Sequence, residues 1–356
     1  TAASDLPQAN VTASQTTEHN TSVSQQLISV QTDLYHLWIN PKGGDIVRIE
    51  LLSHDESKDS DKPFVMLESD AKRTYVAQSG LIGLNGPDSS RSGRPMYDVE
   101  KTAYTLADAK SVAAKDGKTH QVLTVPLVFK TPEGVEVIKS FTFTQGDYPI
   151  TVKHQVVNRS QQNWQGQMFG QLKRDNSDDP GKSSQGIFTL GTYLGGAWGT
   201  PEEHYNKLKF ANFNDEKLNV EAKGGWVAMV QHYFVSAWIP GNLKLTQADG
   251  QPYTAKLESR QSADGMNIMG FTSPVINVPA GTSMEVDAQL YSGPKIQSEL
   301  KDLAAGLNQT VDYGWLWPIA KLLFLGLQFF HNLVGNWGWS IILLTILVKL
   351  ILWPLS

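Results

Sequence analysis

Short runs in which apolar and polar residues alternate fill most of the chain after Leu27, and turn residues separate them. In one such run Val47, Ile49 and Leu51 alternate with charged residues. A period of two places one face of a strand in a core and the other in solvent, so the pattern predicts antiparallel β-structure. Since long helical stretches and a fixed repeat are both absent from this part of the sequence, we predict a large β-sandwich over residues 27–295.

A β-hairpin is predicted between residues 135 and 157. Two alternating runs flank a turn sequence centred on Gly146. In the second run, positions 150, 152, 154 and 156 fall on one face and are apolar apart from His154. We expect this face to point into the core.

Helical spacing first occurs after these strands. Ile296, Leu300, Leu303 and Leu307 recur at intervals of four, three and four residues and so form one apolar stripe. We predict a surface helix and linker over residues 296–312, with the stripe closing the β-domain.

Residues 313–334 are apolar apart from a narrow polar stripe that contains Lys321 and Gln328. Trp315 and Trp317 stand at its beginning. A helix with this distribution lies in the membrane interface more readily than across the bilayer, so we predict an interfacial amphipathic helix.

Residues 335–356 contain an apolar run of 17 residues with a tryptophan at each end. At 1.5 Å per residue the run reaches about 26 Å, close to the roughly 30 Å of the hydrocarbon core. The terminal tryptophans are typical of an aromatic belt. We predict a transmembrane helix, and the alternative is a buried helix of a soluble protein.

Lys349 interrupts this apolar run. A lysine near the centre of a spanning helix costs about 2.5–3.5 kcal/mol unless water or an anion compensates it. Thr345 and Ser356 fall on the same helical face. We predict that the three residues line a hydrated substrate groove, and the alternative is that Lys349 extends toward the nearer lipid head groups.

Charge divides the chain near residue 312. The whole chain carries −5 and has no cysteine, and residues 313–356 contain two lysines and no acid, so residues 1–312 carry −7. The lack of cysteine excludes disulfides, zinc ribbons and thiol nucleophiles, and the acidic balance argues against a nucleic-acid partner. Residues 1–26 are rich in Ser, Thr, Gln and Asn, which predicts a flexible tether. We find no spacing typical of a metal or cofactor site, and we expect no catalytic residue.

Five blocks of sequence carry a resemblance to a known family. They are residues 78–88 (QSGLIGLNGPD), 170–174 (GQLKR), 223–240 (KGGWVAMVQHYFVSAWIP), 313–323 (YGWLWPIAKLL) and 334–356 (VGNWGWSIILLTILVKLILWPLS). In this order they resemble the Oxa/YidC/Alb family of membrane protein insertases, in its Gram-negative bacterial YidC branch.

The resemblance implies a periplasmic β-super-sandwich, similar to galactose mutarotase folds, and a membrane core that begins with the interfacial helix. It implies a single basic residue on the second transmembrane helix, facing a hydrated groove. The matching residue is Lys349, where the family usually has Arg, and lysine lacks the planar fork of a guanidinium. Since the other helices of the core have no counterpart here, we expect the chain to be a piece of a longer protein.

The resemblance also implies partners and a location. The expected partners are nascent membrane proteins, the Sec translocon with its accessory subunits, the lipid bilayer and, through cytoplasmic parts outside this chain, the ribosome. The expected location is the inner membrane of a Gram-negative bacterium, with the β-domain in the periplasm. The expected activity is insertion and folding of membrane proteins, which breaks no bond and makes the protein no enzyme.

Two other functions stay open at this point. A membrane-anchored carbohydrate-binding or mutarotase-like domain would need a histidine and a carboxylate in one pocket. The candidate histidines are scattered along the β-domain: His36, His120, His154, His204 and His232. The β-domain could also hold emerging polypeptides in a cleft, as a periplasmic chaperone.

One aromatic-rich strand region could contact a partner. Its candidate residues are Trp226, Tyr233, Phe234 and Trp238. Exposed aromatic side chains anchor protein interfaces, and packing in the core is the alternative.

Overall fold

The computed structural model describes residues 5–7, 26–57, 60–90, 93–113, 117–180, 193–245, 249–311 and 317–353, without the side chains of 317–321 and 352. The chain divides into two compact units, Thr1–Thr310 and Val311–Ser356, and each is described by itself.

The described part of the first unit contains 21 strands. In chain order they are β1 (Ile28–Gln31), β2 (Tyr35–Asn40), β3 (Asp45–Asp55), β4 (Pro63–Ser69), β5 (Thr74–Ile82), β6 (Ala103–Thr105), β7 (Lys110–Ala113), β8 (Thr119–Lys130), β9 (Val135–Thr144), β10 (Ile150–Asn158), β11 (Trp164–Arg174), β12 (Gly195–Gly199), β13 (Asn206–Leu208), β14 (Asn219–Lys223), β15 (Trp226–Val230), β16 (Phe234–Leu245), β17 (Gln251–Pro252), β18 (Thr254–Gln261), β19 (Asn267–Thr272), β20 (Ile276–Val278) and β21 (Ser283–Pro294).

The strands form two sheets. The larger has the order β14-β18-β19-β11-β5-β4-β3-β2-β1-β6, with β20 paired to β11. The smaller has the order β13-β12-β15-β16-β21-β10-β9-β8-β7, with β17 paired to β16. Inward-facing apolar residues from both sheets pack into one core, so the predicted mainly β sandwich is confirmed.

The predicted hairpin is present as β9 and β10, which pair antiparallel with Phe143 opposite Ile150. Gly146 adopts a left-handed φ of +84° between them, a conformation that glycine reaches without steric cost. The inward face of β10 is fully buried, including His154. Lys139, also fully buried, lies directly opposite His154 on β9.

The inward face of β3 differs from the simple alternation at one residue. Trp38 pairs with Arg48 while the next residue of β2, Ile39, pairs with Ile46, so Val47 is an extra residue in a β-bulge. The bulge turns Ile46 into the core and leaves Val47 half-buried. The prediction that Val47 shares the inward face was therefore wrong.

The first unit ends in a short helix, α1 (Gln297–Leu303), and a 3-10 turn at Leu307–Thr310. Leu300 and Leu307 are fully buried against the β-sandwich, while Ile296 and Leu303 pack on it in part. Gly306, with φ of +82°, separates helix from turn, so the apolar stripe continues across two elements.

The second unit contains two helices, α2 (Trp317–Val334) and α3 (Trp337–Leu352). Gly335 ends α2 with φ of +66°, and its N–H donates to the carbonyl of His331 at 2.7 Å. A Cβ built on Gly326 would lie 3.0 Å from Leu344 Cδ1, so the two helices pack as a helical hairpin. None of the helices in the described ranges combines the length and hydropathy that crossing a membrane requires.

Candidate functional site

The helical hairpin of α2 and α3 exposes an unusually large apolar surface. Sixteen large apolar side chains between residues 322 and 353 are exposed: Leu322, Leu323, Phe324, Leu325, Phe329, Leu333, Val334, Trp337, Trp339, Ile341, Ile342, Ile346, Leu347, Leu350, Ile351 and Trp353. A contiguous surface of this kind marks a membrane or protein contact rather than one that faces water.

The turn between α2 and α3 is held by side chains. Asn336 caps α3, and its Oδ1 accepts hydrogen bonds from the N–H groups of Gly338 at 2.8 Å and Trp339 at 3.3 Å. The His331 ring stacks on Trp337 with centroids 3.8 Å apart. These contacts fix where α3 begins.

Thr345 and Lys349 lie four residues apart on α3, and both are exposed. The Thr345 hydroxyl donates to the Ile341 carbonyl at 2.7 Å, so its hydrogen-bond donor is satisfied by the backbone of α3 itself. Ser356, the third predicted groove residue, lies outside the described residues. The arrangement places one ammonium and one hydroxyl four residues apart on α3, beside exposed apolar side chains.

The predicted interfacial residues are described in part. Trp315 lies outside the described residues, and Trp317 and Lys321 belong to α2 but their side chains are not described. Gln328 is exposed on α2.

The predicted aromatic partner surface needs correction. Trp226, Phe234 and Trp238 are buried in the sandwich core, and Trp226 Nε1 donates to the Ala305 carbonyl at 2.9 Å. Tyr233 alone of the four is exposed, at 70%. Phe234 and Trp238 share the inward face of β16. Val227 rather than Trp226 stands opposite Trp238, so Trp226 lies on the other face of the smaller sheet, where the segment at Ala305 covers it.

A buried ionic cluster in the β-domain was missed by the sequence analysis. Arg94 pairs with Asp45 at 2.9 Å and with Asp88, and its Nη2 also donates to the carbonyls of Gly43 at 3.0 Å and Ser79 at 2.9 Å. Although burial alone would lower it, the two carboxylates raise the pKa of Arg94, which holds it charged.

Lys139 and His154 extend this cluster from the smaller sheet. Lys139 Nζ donates to the carbonyls of Gly43 at 3.0 Å and Ser79 at 2.7 Å on the larger-sheet side, and burial lowers its pKa to about 7. Burial also lowers the pKa of His154 well below its ordinary value, with Lys139 and Arg94 adding to the effect. Neither ring nitrogen of His154 has a hydrogen-bond partner among the described residues.

Lys139, His154 and Asp88 are at most 3% exposed, while the side chains of Arg94 and Asp45 are 13% and 12% exposed. Because the cluster joins the two sheets and is largely buried, we assign it to stability. Its sequence signal is the presence of Lys139 and His154 at inward positions of two alternating strands. Asp88 belongs to a single 3-10 turn, Pro87–Ser89, and Arg94 to a loop, and neither segment is long enough for periodicity to mark a residue as buried.

An open cleft of about 180 Å³ lies on the outer face of the larger sheet. It is lined by Gln167, Glu221, Thr254, Lys256, Glu258, Thr272, Ser273, Pro274 and Val275. This lining of described residues has two carboxylates but no histidine. Of the five candidate histidines, His36, His120 and His154 lie on three different strands, and His204 and His232 lie in two different connections between strands. The pairing that sugar epimerisation requires is therefore not assembled at this cleft.

Residues 27–325 match the family model of the YidC periplasmic domain. A membrane protein insertase YidC from Pseudomonas putida strain GB-1 is 44% identical over 356 residues, which is 100% of this chain and 60% of that protein. One from Stutzerimonas stutzeri strain A1501 is 47% identical over 334 residues, which is 94% of this chain and 56% of that protein. The chain thus spans about 60% of the length of the first of these relatives.

Among solved structures, a galactose mutarotase related enzyme from Lactobacillus acidophilus is similar to 75% of this chain and 97% of its own, with 10% identity and a TM-score of 0.47. The matching relatives are insertases rather than enzymes, in agreement with the prediction of no enzyme. On the family match and these identities, the chain belongs to the YidC family of membrane protein insertases and contains its periplasmic domain.

Proposed function

We propose that this chain is part of an insertase that lowers the free-energy cost of moving polar segments of client proteins into the bilayer. The helical hairpin would contact lipid, and Lys349 would be the cation of a hydrated groove in which an acidic or polar client segment waits. Transfer of the client's apolar helix into lipid would then drive its release. Each step moves a polypeptide between environments and breaks no bond.

One observation carries this proposal: the helical hairpin exposes sixteen large apolar side chains together with one lysine of α3. Apolar surface of this extent is stable in a non-aqueous environment, whereas an ammonium in lipid needs water or a counter-charge. A client carboxylate meets that need while it waits. Lysine offers a point charge rather than a planar fork, so the contact would tolerate varied client geometry.

The 16 residues of α3 reach about 24 Å, several ångströms short of the roughly 30 Å hydrocarbon core. A helix shorter than the bilayer is accommodated by local thinning. We propose that α3, as the transmembrane helix, thins the membrane around the groove, while α2 lies at the interface. Thinning would shorten the apolar barrier that a polar client segment crosses.

We propose further that the β-domain lies in the periplasm of a Gram-negative bacterium and the helical hairpin in its inner membrane. The proposed partners are nascent membrane proteins and the Sec translocon with its accessory subunits. A ribosome contact would belong to cytoplasmic regions outside this chain. The match to the periplasmic domain family supports the location of the β-domain, and the name of the Pseudomonas putida relative supports membrane proteins as clients.

The test uses a chimera in which residues 1–356 replace the matching part of that Pseudomonas putida relative. The chimera is reconstituted in lipid vesicles, and insertion of a client with an acidic extracytoplasmic tail is measured by protease protection. Lys349→Arg should keep the rate, since it keeps the charge. Lys349→Leu should lower it about tenfold, which corresponds to about 1.4 kcal/mol.

A matched control moves the charge without changing the composition. The double variant Lys349→Leu/Leu350→Lys turns the ammonium about 100° around the helix. It should insert the client as slowly as Lys349→Leu. Equal insertion rates for all variants would overturn the electrostatic role of Lys349. If Lys349→Leu/Leu350→Lys inserted the client as fast as the unmodified chimera, the position of the charge would not matter, and the proposed groove would be overturned.

A further inference from the structure

Three residues near the start of the chain, Asp5, Leu6 and Pro7, lie on the β-domain. The Asp5 carbonyl accepts hydrogen bonds from Gln171 Nε2 at 3.0 Å and from Arg260 Nη2 at 2.6 Å. The Asp5 carboxylate pairs with Lys173 Nζ, and Pro7 is buried. Part of the predicted tether is thus docked, while residues 1–4 and 8–25 lie outside the described residues.

The docking face is built by three adjacent strands of the larger sheet, β11, β19 and β18. Lys173 and Arg260 both stand opposite Ile268, and Gln171 and Glu258 both stand opposite Gly270. Side chains in register on neighbouring strands point to the same face. This face is the outer one, because Lys256, Glu258 and Arg260 alternate with buried residues of β18.

The polar groups on this face also contact one another. Arg260 pairs with Glu258 at 2.8 Å and donates to Gln171 Oε1 at 2.5 Å. Gln171 Nε2 also donates to Gln78 Oε1 at 2.9 Å. A Cβ built on Gly270 would lie 2.6 Å from Gln171 Cβ, so glycine at this position leaves room for the Gln171 side chain.

The charge of Lys173 favours a carboxylate at one position of this face. Lys173 is 14% exposed and its ion pair is with Asp5, while Asp264 is another acidic group close enough to interact with it. Burial lowers the pKa of Arg260, and the negative charges of Glu258 and Asp5 oppose this effect. Removing Asp5 would leave a partly buried lysine with less compensation, which another carboxylate can restore.

We propose that this face is a binding site for an extended acidic segment of a client polypeptide, and that Asp5, Leu6 and Pro7 occupy it in cis. The ligand class follows from the contacts: a carboxylate for Lys173, a backbone carbonyl for Gln171 and Arg260, and a buried proline two residues later. The identity of the ligand as a client rests on the proposed insertase function. The cleft lined by Lys256 and Glu258 continues on the same face and offers room for further ligand residues.

The experiment measures binding of a fluorescein-labelled peptide TAASDLPQAN, the sequence of residues 1–10, to the full chain in detergent micelles by anisotropy. In the unmodified chain the cis segment competes at an effective concentration on the order of millimolar. Asp5→Lys in the protein should repel its own segment from Lys173 and tighten peptide binding at least tenfold. The peptide TAASNLPQAN, without the carboxylate, should bind at least fivefold more weakly to that variant.

Charge reversal at the site provides the matched controls. In the chain that keeps Asp5, Lys173→Glu should repel the cis segment, so this variant should not bind TAASDLPQAN and should bind TAASKLPQAN instead. Lys153→Glu, a change on the smaller sheet, should leave binding unchanged. The test stays valid if Lys173→Glu perturbs the fold. The comparison of TAASDLPQAN with TAASNLPQAN is made on the Asp5→Lys variant, in which the binding face itself is unchanged.

Two results would overturn the proposal. One is that a single variant binds TAASDLPQAN, TAASNLPQAN and TAASKLPQAN with equal affinity. The other is that the unmodified chain and Asp5→Lys bind TAASDLPQAN with equal affinity. No insertion occurs in this assay, so a negative result leaves the insertase proposal standing. Conversely, if substitution of Lys349 does not change the insertion rate, the measured peptide binding is unaffected. In that case a client polypeptide would no longer be supported as the natural ligand of this face.

Discussion

Tryptophans in the two units of this chain have opposite environments. Trp226 and Trp238 in the β-domain are at most 1% exposed, whereas Trp339 and Trp353 in the helical hairpin are 63% and 79% exposed. In the first unit the opposite sheet and the chain segment at Ala305 cover the apolar faces, and the polar groups that enter the core are largely paired. In the second unit two helices cover only part of each other, so most of the apolar surface has no protein neighbour among the described residues.

The difference shows that tryptophan stabilises the two units by contacts with different surroundings. A buried tryptophan stabilises the β-domain through protein packing, while an exposed one in the helical hairpin needs lipid or a protein partner. Stability in water and affinity for a membrane should therefore respond to different substitutions. The following variants separate these two quantities.

Matched tryptophan truncations give the largest expected contrast. Trp238→Ala should lower the free energy of unfolding of the β-domain by about 4 kcal/mol, because it leaves a cavity in a closed core. Trp339→Ala should change it by less than about 0.5 kcal/mol but weaken binding to lipid vesicles. Urea unfolding in detergent, followed by circular dichroism, and vesicle flotation measure the two effects. Similar unfolding losses for both variants would contradict the contrast.

Arginine truncations test whether buried charge behaves like buried apolar surface. Arg94→Ala should cost about 3 kcal/mol of unfolding free energy, because Asp45 and Asp88 would stay buried without their partner. Arg159→Ala removes an exposed pair with Glu136 and should cost less than about 1 kcal/mol. Urea unfolding compares them, and an Arg94→Ala loss as small as that of Arg159→Ala would remove the cluster's structural role.

His154→Leu should stabilise the β-domain by about 1–2 kcal/mol at pH 7, because it removes two buried nitrogens that lack partners among the described residues. The folded-state pKa of His154 is lowered, so below about pH 6.5 the unfolded state binds a proton that the folded state does not. Stability of the unmodified chain is therefore lost as pH falls, by at most about 1.4 kcal/mol per pH unit from this residue.

The advantage of His154→Leu should grow between pH 7 and pH 5 in urea unfolding. Lys139 changes stability in the same direction at higher pH, between its folded pKa of about 7 and its ordinary value of 10.5. Exposed His204 gives the control, and His204→Leu should leave the pH dependence unchanged. A constant difference between His154→Leu and the unmodified chain across pH would contradict the burial argument.

The smallest expected effect is at the helix cap in the helical hairpin. Asn336→Ala removes the acceptor for two N–H groups at the start of α3 and should cost about 1 kcal/mol of local stability. Hydrogen exchange of the first turn of α3 should accelerate about fivefold, while exchange in β10 stays unchanged. Asn332→Ala, at an exposed position within α2, is the control. Equal exchange in both variants would show that packing, rather than the cap, begins the helix.

Local pattern predicted the elements whose stability depends on near neighbours. The β9–β10 hairpin follows from alternation around Gly146, and its predicted inward face is buried. The bulge at Val47 could not be predicted, because it depends on how β2 pairs with β3 rather than on either strand alone. The prediction of an aromatic partner surface was wrong for a related reason. The sequence of an aromatic-rich strand is the same whether its side chains contact solvent or other strands.

The sequence by itself determined the division of the chain into an alternating β-domain and an apolar helical segment, because residue periodicity and charge density act locally. It also marked Lys349 as the charged residue of α3. Tertiary structure alone decided that Arg94 reaches Asp45 and Asp88, and that Asp5 meets Lys173 and Arg260. Those contacts join residues up to 255 positions apart, and a distance of that kind along the chain is closed only when the sheets have assembled and set the register of every strand.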